Sequence, residues 1–372
     1  MRILGKRKKI DVLRQDSEHL NLDYRVKYYF SGQSDIEEHS TQNRWIMMET
    51  IRWGILGPGR IAHSFTKDLA LVRDGRLTAV ASRNLERARE FADEYNAEFA
   101  FGSYEELLVS DKVDVIYIAT PHTGHMEWAI KAMKSGKHIL CEKPVGINLS
   151  QVKKMLRVAA ENKVFLMEAL WSRFNPSIRK IKQLVDDGVI GQVSYLHADF
   201  AFYSLDRDEK GRLLNPELAG GSILDIGIYP IFLAYLILGK PERILATSNL
   251  YKTGAEVQTS MIFQYDRAQA ILYSGLTSKS EMRAEISGSK GEIFIDSRWH
   301  ETQGFVSHIA ETEKRYDLPT LGKGYTHEID EVHRCLREGK LQSELWSHQN
   351  SIDLITLMDE VRRQGGITFP FE

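Results

Sequence analysis

Lys143 stands at the end of an apolar run, in the stretch Cys141-Glu142-Lys143-Pro144. A lysine that directly follows a parallel strand lies at the carboxyl edge of its sheet, where open α/β folds bind their ligands. Pro144 lacks an amide hydrogen and favours an extended residue before it, so we expect Lys143 to stay at the strand end. A solvated surface lysine is the alternative for an isolated Glu-Lys-Pro, and the rest of the chain has to decide between the two.

A second pair of chemically capable residues lies in the stretch from Gly220 to Pro230. Asp225 and Tyr229 are four residues apart, so on an α-helix they project from one face. Together with Lys143 they are candidates for a group that handles a proton. Taken alone, the two residues also fit a local cap and a packed aromatic side chain.

The elements that would position these residues begin with a predicted strand at residues 51–56 and a helix that runs to about Val72. Between them lies the GxGxxA form of the dinucleotide fingerprint, Gly57-Pro58-Gly59-Arg60-Ile61-Ala62. Gly57 permits the tight turn, Gly59 lets the backbone approach a pyrophosphate, and Ala62 allows close packing of helix on strand. The free amides at the helix start, at Arg60 and Ile61, favour the anion. A glycine-rich turn without a ligand is the alternative.

The second predicted strand, residues 77–81, ends in Ser82-Arg83-Asn84 before a helix that starts near Leu85. An NAD site usually has an acidic residue here for the ribose hydroxyls, whereas an arginine suits the 2′-phosphate of NADP. Arg83, with Ser82 and Asn84 as supporting donors, therefore predicts NADP, with NAD as the other candidate. Arg83 also fits a solvated residue at a helix start.

The next strand, predicted over residues 113–119, is almost continuously apolar, as expected for a parallel strand covered on both faces. Thr120, Pro121 and His122 follow its end, and His125 is predicted to begin the next helix. These residues should lie over the cofactor, together with Glu142 and Lys143 of the following strand end. His122 and His125 are three residues apart, but no third ligand is apparent, so we predict no metal site.

The order of these elements predicts an α/β protein. An N-terminal Rossmann domain with a doubly wound parallel sheet should span residues 49–168. Residues 169–372 should form an α+β substrate-binding and oligomerisation domain with a large, mostly antiparallel open sheet, whose C-terminal helix packs back on the first domain. Its predicted strands are residues 243–249, 257–265, 268–275, 283–288 and 292–296, and its last helices are residues 325–338 and 347–364. Such a sheet with one free face is either an exposed platform or an oligomer interface.

Composition restricts the class of partner. Of the 372 residues, 42% are hydrophobic and 27% charged, and the formal net charge is −2, which gives no reason to expect nucleic acid or an anionic membrane as partner. No apolar run reaches the ~18 residues that would span a bilayer. The two cysteines, Cys141 and Cys335, are far apart in the sequence, which favours a reducing cytoplasm over a disulfide framework.

Residues 1–48 differ in character from the rest of the chain, and we predict a poorly ordered extension. The basic run Lys6-Arg7-Lys8-Lys9 is not followed by an apolar segment of signal-peptide length. Met47 and Met48 stand directly before the first strand, so a start codon assigned too far upstream is one explanation of this extension. A small partner-binding arm is the other.

Three motifs in this order and spacing resemble the Gfo/Idh/MocA oxidoreductase family: the glycine fingerprint, Glu142-Lys143-Pro144, and the stretch from Gly220 to Tyr229. The resemblance covers residues 51–372 and is strongest to the branch that contains dimeric dihydrodiol dehydrogenase and NADP-dependent D-xylose 1-dehydrogenase. It implies an NADP-dependent dehydrogenase, dimeric through the C-terminal sheet, that acts on a cyclic polyol such as an aldose or a trans-dihydrodiol.

The same resemblance implies roles for individual residues. Tyr229 would be the acid-base residue, Lys143 its partner, and Asp225 would lie near the substrate. Because a free tyrosine with a pKa of ~10 is a poor base at neutral pH, we expect the Lys143 ammonium to lower the pKa of Tyr229. Arg173 and Phe174 are expected to line the substrate pocket. An oxidoreductase acting on another sugar or inositol, and a catalytically silent NADP-binding regulator, are the alternatives.

Overall fold

Two β-sheets organise the computed structural model, which describes residues 50–372. The extension predicted for residues 1–48 lies outside the described residues. The strands of the first sheet are β1 (Ile51–Leu56), β2 (Gly75–Ala81), β3 (Phe99–Phe101), β4 (Val115–Ile118), β5 (His138–Glu142) and β6 (Leu166–Ala169). They lie in the order β3-β2-β1-β4-β5-β6, and every neighbouring pair is parallel.

Helices alternate with these strands, as the sequence predicts for a Rossmann sheet. They are α1 (Arg60–Leu69), α2 (Leu85–Tyr95), α3 (Tyr104–Val109), α4 (His122–Lys134) and α5 (Leu149–Asn162). The starts of α2, α3 and α5 are fixed by the side chains of Asn84, Ser103 and Asn148, each of which accepts a hydrogen bond from a backbone amide of the first turn.

The order of the parallel strands reverses between β1 and β4, which are neighbours at the centre of the sheet. Helices cover both faces here, so all four residues of β4 are fully buried. In a doubly wound sheet, the crevice for a ligand lies beyond the carboxyl ends of the strands at this reversal. The crevice therefore falls between Gly57, which follows β1, and Thr120, which follows β4.

The second sheet has eight strands, β7 (Val193–Ala201), β8 (Arg243–Leu250), β9 (Glu256–Gln264), β10 (Gln269–Gly275), β11 (Ala284–Gly288), β12 (Gly291–Ile295), β13 (Gly304–Ile309) and β14 (Thr312–Asp317). They lie in the order β14-β13-β12-β11-β7-β10-β9-β8. The β7–β10 pair is parallel and the other six neighbouring pairs are antiparallel. The helices of this half are α6 (Pro176–Asp186), α7 (Ile228–Leu238), α8 (Thr326–Arg337) and α9 (His348–Gly365).

The two faces of this sheet differ in their surroundings. α7 packs on the inner face, and its apolar sequence is buried from Ile228 to Ala234. The outer face leaves large apolar side chains between 38% and 43% exposed, namely Leu245, Ile262, Ile271 and Phe294. The mostly antiparallel open sheet predicted from the sequence is thus confirmed, with one face free of helices among the described residues.

The structure differs from the prediction at several elements. α4 begins at His122 rather than at His125. β3, β13 and β14 were not predicted, and β7 was not among the strands predicted with bounds for the second sheet. The sequence of β14, Thr-Glu-Lys-Arg-Tyr-Asp, has no apolar alternation because it is an edge strand with charged side chains, which is how natural sheets protect their edges from further pairing.

Hydrogen bonds join the segments around the two sheets. The Asp68 carboxylate of α1 accepts from the amides of Lys323, Gly324 and Tyr325 at 2.8–2.9 Å, just before α8. α9 packs against α5, and Asp359 of α9 accepts from the amide of Leu149 at 2.8 Å. No helix in residues 50–372 is both long and apolar enough to cross a membrane.

Candidate active site

Lys143, Asp225 and Tyr229 lie together, as the sequence predicts. Lys143 directly follows β5, and the peptide bond to Pro144 is cis. Its ammonium donates to the backbone carbonyl of Asp225, lies 3.8 Å from the Asp225 carboxylate and is 5.0 Å from the centre of the Tyr229 ring. The Lys143 side chain is 12% exposed, so its charge meets little water. We call these three residues the Lys143 cluster.

Asp225 and Tyr229 do not share one regular α-helix. Asp225 lies in a π-helical turn, Ile223–Gly227, and Tyr229 is the second residue of α7, which follows directly. The start of this turn is held by the buried Glu256 carboxylate, which accepts from the Ile223 amide at 2.8 Å and the Ser222 hydroxyl at 2.7 Å. The wider turn directs the Asp225 carbonyl and carboxylate towards Lys143, a role that single-turn π-helices often have at functional sites.

Arg212 is a member of the site that the sequence analysis missed. Its guanidinium Nη1 lies 2.7 Å from the Asp225 carboxylate. Burial alone would raise the pKa of Asp225, but the charges of Arg212 and Lys143 outweigh it and hold the pKa of this carboxyl well below its usual range. Arg212 lies between β7 and the π-helical turn, outside any helix or strand, so no sequence periodicity marks it.

The pKa of Tyr229 is shifted in the opposite direction from the one expected. Its side chain is almost fully buried, and its hydroxyl accepts a hydrogen bond from Trp171 Nε1 at 2.8 Å. Burial raises the pKa of Tyr229 well above its usual value, and the Trp171 hydrogen bond opposes that rise only in part. The expectation that Lys143 lowers the pKa of Tyr229 is therefore wrong, because the ammonium lies against the ring and burial dominates.

Aromatic side chains from distant segments surround Tyr229. The rings of Phe200 and His300 lie 5.5 Å and 5.3 Å from its ring, centre to centre. Tyr325 stacks on Trp171 at 4.7 Å with an angle of 7° between the planes. These aromatic residues come from β7 and from three segments outside the regular helices and strands, which is why sequence periodicity did not connect them.

Arg173 and Phe174 are not placed as the sequence analysis expected. Phe174 is 1% exposed and belongs to the core, and Arg173 donates to the carbonyl of Leu345 at 2.8 Å. Burial lowers the pKa of Arg173 to about 10, and its nearest charges belong to Arg179, Glu331 and Asp186 rather than to the Lys143 cluster. The short 3-10 helix Trp171–Phe174 directs its first residue, Trp171, to Tyr229 and turns Arg173 and Phe174 away.

The fingerprint residues form an edge that fits a dinucleotide, which we call the nucleotide edge (Gly57–Ile61 with Thr120). Gly57 has a φ of +93°, and a Cβ there would lie 3.2 Å from the Ala119 carbonyl oxygen. At Gly59 a Cβ would meet no atom within 4 Å, and α1 begins without a side-chain cap, so no capping side chain accepts from the amides of its first turn. The hydroxyl of Thr120 is buried without a hydrogen-bond partner. A phosphate bound at this helix start would meet free donors.

The turn after β2 and the first turn of α2 carry two arginines rather than one, Arg83 and Arg87. Burial raises the pKa of the Tyr104 phenol, and the charges of Arg83 and Arg87 partly offset that rise, so both guanidinium groups lie near it. Arg87 is missing from the sequence prediction, although it follows Arg83 by only four positions. Ser82 is buried and accepts from the Asn84 amide at 3.2 Å, so its hydroxyl helps to shape this turn.

Of the remaining predicted cofactor contacts, His122 is half-buried at the first turn of α4, after Pro121. Burial and the neighbouring His125 lower the pKa of His122 to about 3, so it is neutral at physiological pH. His125 is fully buried, and its two ring nitrogens lie 2.8 Å and 2.9 Å from backbone carbonyls. Its ring thus ties two loops together and offers no surface to a ligand, contrary to expectation.

Glu142 is also turned inward. Its carboxylate accepts from the Tyr117 hydroxyl and from the amide of Lys143, and burial raises its pKa. It therefore fixes the backbone that presents Lys143. Within the described part of the chain, no group of three or more His, Cys, Asp or Glu side chains is placed to hold a metal ion.

Comparison with known proteins agrees with this geometry. Residues 51–170 match the family described as "Oxidoreductase family, NAD-binding Rossmann fold", and residues 178–294 match the GFO/IDH/MocA C-terminal domain. Among solved structures, the 3-ketoreductase KijD10 from Actinomadura kijaniata, in complex with NADP and TDP-benzene, superposes with a TM-score of 0.77 at 26% identity. That similarity covers 85% of this chain and 98% of the other.

The similarity to three curated relatives extends over almost the whole length of each relative. Trans-1,2-dihydrobenzene-1,2-diol dehydrogenase of Xenopus tropicalis is 34% identical over 333 residues, 86% of this chain and 99% of the relative. D-xylose 1-dehydrogenase (NADP(+)) of Hypocrea jecorina is 34% identical, covering 86% and 93%. Scyllo-inositol 2-dehydrogenase (NADP(+)) of Bacillus subtilis is 34% identical, covering 86% and 98%. The resemblance found in the sequence is confirmed, and the chain belongs to the Gfo/Idh/MocA family of NAD(P)-binding oxidoreductases.

Proposed function

We propose that the protein is an NADP-preferring dehydrogenase that oxidises a carbinol of a cyclic polyol, an aldose such as D-xylose or a trans-dihydrodiol. The observation that carries the proposal is the position of the Lys143 ammonium, which directly follows a parallel strand of the nucleotide-binding sheet and contacts both Asp225 and the ring of Tyr229. The relatives support it, since the three named above act on a dihydrodiol, an aldose and an inositol, and two of their names include NADP(+).

Tyr229 is proposed as the acid-base residue. When bound, a nicotinamide cofactor supplies the carbon that accepts or returns the hydride. In the oxidation direction, the Tyr229 oxygen takes the hydroxyl proton, and in the reduction direction it gives that proton back to the carbonyl oxygen. Burial keeps Tyr229 protonated in the free protein, so it is ready as an acid. The Trp171 N–H, 2.8 Å away, stabilises the phenolate that oxidation needs.

Lys143 and Asp225 are proposed to hold the reacting oxygen. The Lys143 ammonium carries donors that can reach a substrate oxygen, and its positive charge favours the alkoxide character that develops as hydride leaves. Asp225 stays ionised beside it, because Arg212 and Lys143 lower its pKa, and so it offsets the cost of burying the ammonium. Lys143 thus orients and stabilises the reacting oxygen while Tyr229 exchanges the proton.

The cofactor is proposed to lie along the nucleotide edge. Its pyrophosphate would face the first turn of α1 through Gly57, Gly59, Arg60 and Ile61, and its 2′-phosphate would meet Arg83 and Arg87, both exposed in the segment that follows β2. Thr120, Pro121 and His122 would flank the nicotinamide, near Lys143. NAD is the alternative cofactor.

We further propose a homodimer through the outer face of the antiparallel sheet. Four large apolar side chains on this face are each at least 38% exposed, which is unusual for a surface that stays in water. A sedimentation experiment that finds only monomer would contradict this interface.

We place the protein in the cytoplasm because both of its cysteines are free and buried, as in proteins of a reducing compartment. A dinucleotide-binding domain at residues 49–168 and a substrate and oligomerisation domain at residues 169–372 complete the proposal.

The test is cofactor reduction, followed at 340 nm, with NADP or NAD and a panel of D-xylose, D-glucose, myo-inositol, scyllo-inositol and a trans-dihydrodiol. Turnover of one of these should fall about 10³-fold in Tyr229→Phe, within the range for loss of a general acid-base group. Tyr235→Phe is the matched control, since Tyr235 lies on the same helix and its hydroxyl bonds Asp353 instead. Tight NADPH binding without turnover of any polyol would contradict the proposal and favour a silent regulator.

A further inference from the structure

His300 is a buried histidine beside Tyr229 that the proposed mechanism leaves unused. It lies in the short 3-10 helix Trp299–Glu301 between β12 and β13. Its ring stacks on Phe200, with centres 4.1 Å apart and planes at 25°, and its centre is 5.3 Å from that of Tyr229. The imidazole therefore lies against the proposed acid-base group, although it belongs to a distant segment of the chain.

One ring nitrogen of His300 is unsatisfied. The residue is 4% exposed, and its Nδ1 is buried without a hydrogen-bond partner among the residues that the structure describes. Buried polar groups are normally paired, and leaving one unpaired costs free energy, so an unpaired imidazole at a site needs an explanation.

The fold holds this ring in place rather than leaving it loose. The neighbouring Trp299 donates its indole N–H to the Asp199 carbonyl at 2.9 Å and its amide to the Met282 carbonyl at 3.1 Å. The buried Ser172, next to Trp171, donates its hydroxyl to the backbone carbonyl of His300 at 2.5 Å. The unpaired ring is thus anchored on both sides by contacts with the sheet and with the segment that carries Trp171.

The charge state of the ring restricts what it can bind. Burial, helped by the positive charges of Arg298, Lys143 and Lys323, lowers the pKa of His300 well below its usual value. A neutral imidazole offers one N–H donor and one lone pair. A hydroxyl group is both acceptor and donor, so it matches Nδ1 in either tautomer of the ring. A carboxylate or phosphate would favour a cationic partner instead, and an apolar ligand would leave Nδ1 unpaired.

We propose that His300 hydrogen-bonds the substrate hydroxyl on the ring carbon next to the reacting carbinol, so that the site selects vicinal diols. The inference rests on the proposed function and names what its candidate substrates share, since an aldose, an inositol and a trans-dihydrodiol all carry such a neighbouring hydroxyl. Vicinal oxygens on a ring are separated by about the length of one hydrogen bond, so two polar groups on adjacent aromatic rings can hold them together. Tyr229 would take the reacting oxygen and His300 its neighbour.

The test compares matched substrates with and without this hydroxyl, for example D-glucose and 2-deoxy-D-glucose, or D-xylose and 2-deoxy-D-xylose. A site built to hydrogen-bond a hydroxyl rejects the analogue that lacks it, so the wild-type ratio of kcat/KM should be about 10² or more. In His300→Phe this ratio should fall below about 5, because the intact substrate loses its partner while the deoxy analogue loses nothing. An unchanged ratio in a folded His300→Phe variant would overturn the inference.

Three further measurements keep the test decisive. His327→Phe is the matched control, because His327 on α8 also has a ring nitrogen buried without a partner but is not in contact with Tyr229, and its ratio should stay at the wild-type value. If His300→Phe does not fold, His300→Gln, which keeps a donor and an acceptor, takes its place and should show an intermediate ratio. If no polyol is turned over, calorimetric affinities of the same sugar pairs for the NADPH complex measure the ratio directly, so failure of the proposed function and failure of the His300 subsite remain distinguishable.

Discussion

The nucleotide edge and the Lys143 cluster lie at the carboxyl ends of the same parallel sheet but are built in different ways. The nucleotide edge consists mainly of backbone: a glycine at positive φ, a second glycine with open space, and the uncapped amides of α1. The Lys143 cluster consists of charged and aromatic side chains, almost all of them buried, from segments more than 80 residues apart. One region is suited to binding and the other to reaction.

This difference implies that substitutions in the two regions should affect different quantities, cofactor affinity in one and reaction rate in the other. Backbone amides bind a phosphate whatever the side chains around them, so variants of the cluster should leave cofactor affinity nearly unchanged. In the cluster, a buried charge is stabilised only by its partners, so removing one partner changes the state of the others. Substitutions can therefore separate the affinity for NADP from the rate of the reaction.

Replacement of Lys143 should reveal this separation most strongly. Lys143→Met removes the ammonium that lies 3.8 Å from the Asp225 carboxylate and 5.0 Å from the Tyr229 ring while keeping the length of the side chain. We expect kcat/KM for the polyol to fall about 10³-fold, as for loss of an electrostatic group at the reacting oxygen. NADPH affinity, measured by fluorescence titration, should change less than about threefold.

Lys134→Met is the control for this substitution, since Lys134 is exposed at the end of α4 and should leave both quantities unchanged. A large loss of NADPH affinity in Lys143→Met, with kcat retained, would mean that Lys143 belongs to the nucleotide edge and not to the reaction.

The nucleotide edge was predictable from the sequence because its signals are local. The Gly57–Ala62 fingerprint lies between an apolar strand and a helix, and the turn geometry that requires glycine depends on residues within a few positions. Lys143 was predictable for the same reason, since a strand end and a proline define its place. The α/β class and the antiparallel sheet followed from the periods of the apolar residues, although the three-residue β3, β13 and the charged β14 escaped.

The pH dependence of the reaction should show which side chains in and around the Lys143 cluster titrate. Burial holds the pKa of Tyr229 well above its usual value, lowers that of His122 to about 3 and lowers that of His300 well below its usual range. The phenolate fraction of Tyr229 thus grows about tenfold per pH unit below its pKa, and kcat/KM for oxidation should rise about 10²-fold from pH 6 to pH 8.

The kcat/KM for oxidation increases with pH because oxidation needs the deprotonated form of Tyr229. No inflection is expected near the ordinary histidine pKa of about 6.5. An activity profile from pH 5 to 10 that reaches its plateau with a midpoint near 6.5 would assign the proton transfer to a histidine instead.

Arg83, in the turn after β2, and Arg87, in the first turn of α2, should govern the choice of cofactor. Arg83→Ala and Arg87→Ala each remove one guanidinium from the pair near Tyr104, and kcat/KM for NADP should fall about 10-fold in each and up to about 100-fold in the double variant. Values for NAD should stay within about twofold, because NAD has no 2′-phosphate to lose. A double variant that retains its preference for NADP would show that neither arginine contacts that phosphate.

The side chains that surround the Lys143 cluster could not be predicted from the sequence, for a physical reason. Arg212, Trp171 and His300 lie in loops or short 3-10 helices, where no period links sequence to burial. Their places depend on long-range contacts such as the Trp171–Tyr229 hydrogen bond, across 58 positions. Arg173 and Phe174 were chosen from the correct segment, but a 3-10 turn decides which of its side chains faces the site. Burial also reversed the expected pKa shift of Tyr229, and burial cannot be read from the sequence of one helix.

Variants of Arg212 test whether one cationic partner of Asp225 can replace the other. Its side chain is 46% exposed, so solvent screens its charge, and Asp225 retains Lys143 as a second cationic partner. Arg212→Leu should therefore lower kcat/KM only about 10-fold, and by less at 0.5 M salt, where the wild-type ion pair is itself weakened. Asp225→Asn should cost more, because it removes the partner of both cations. In the double variant, the Arg212→Leu effect should almost disappear, since the guanidinium acts through the Asp225 carboxylate; additive effects in this cycle would mean that Arg212 acts on the substrate directly.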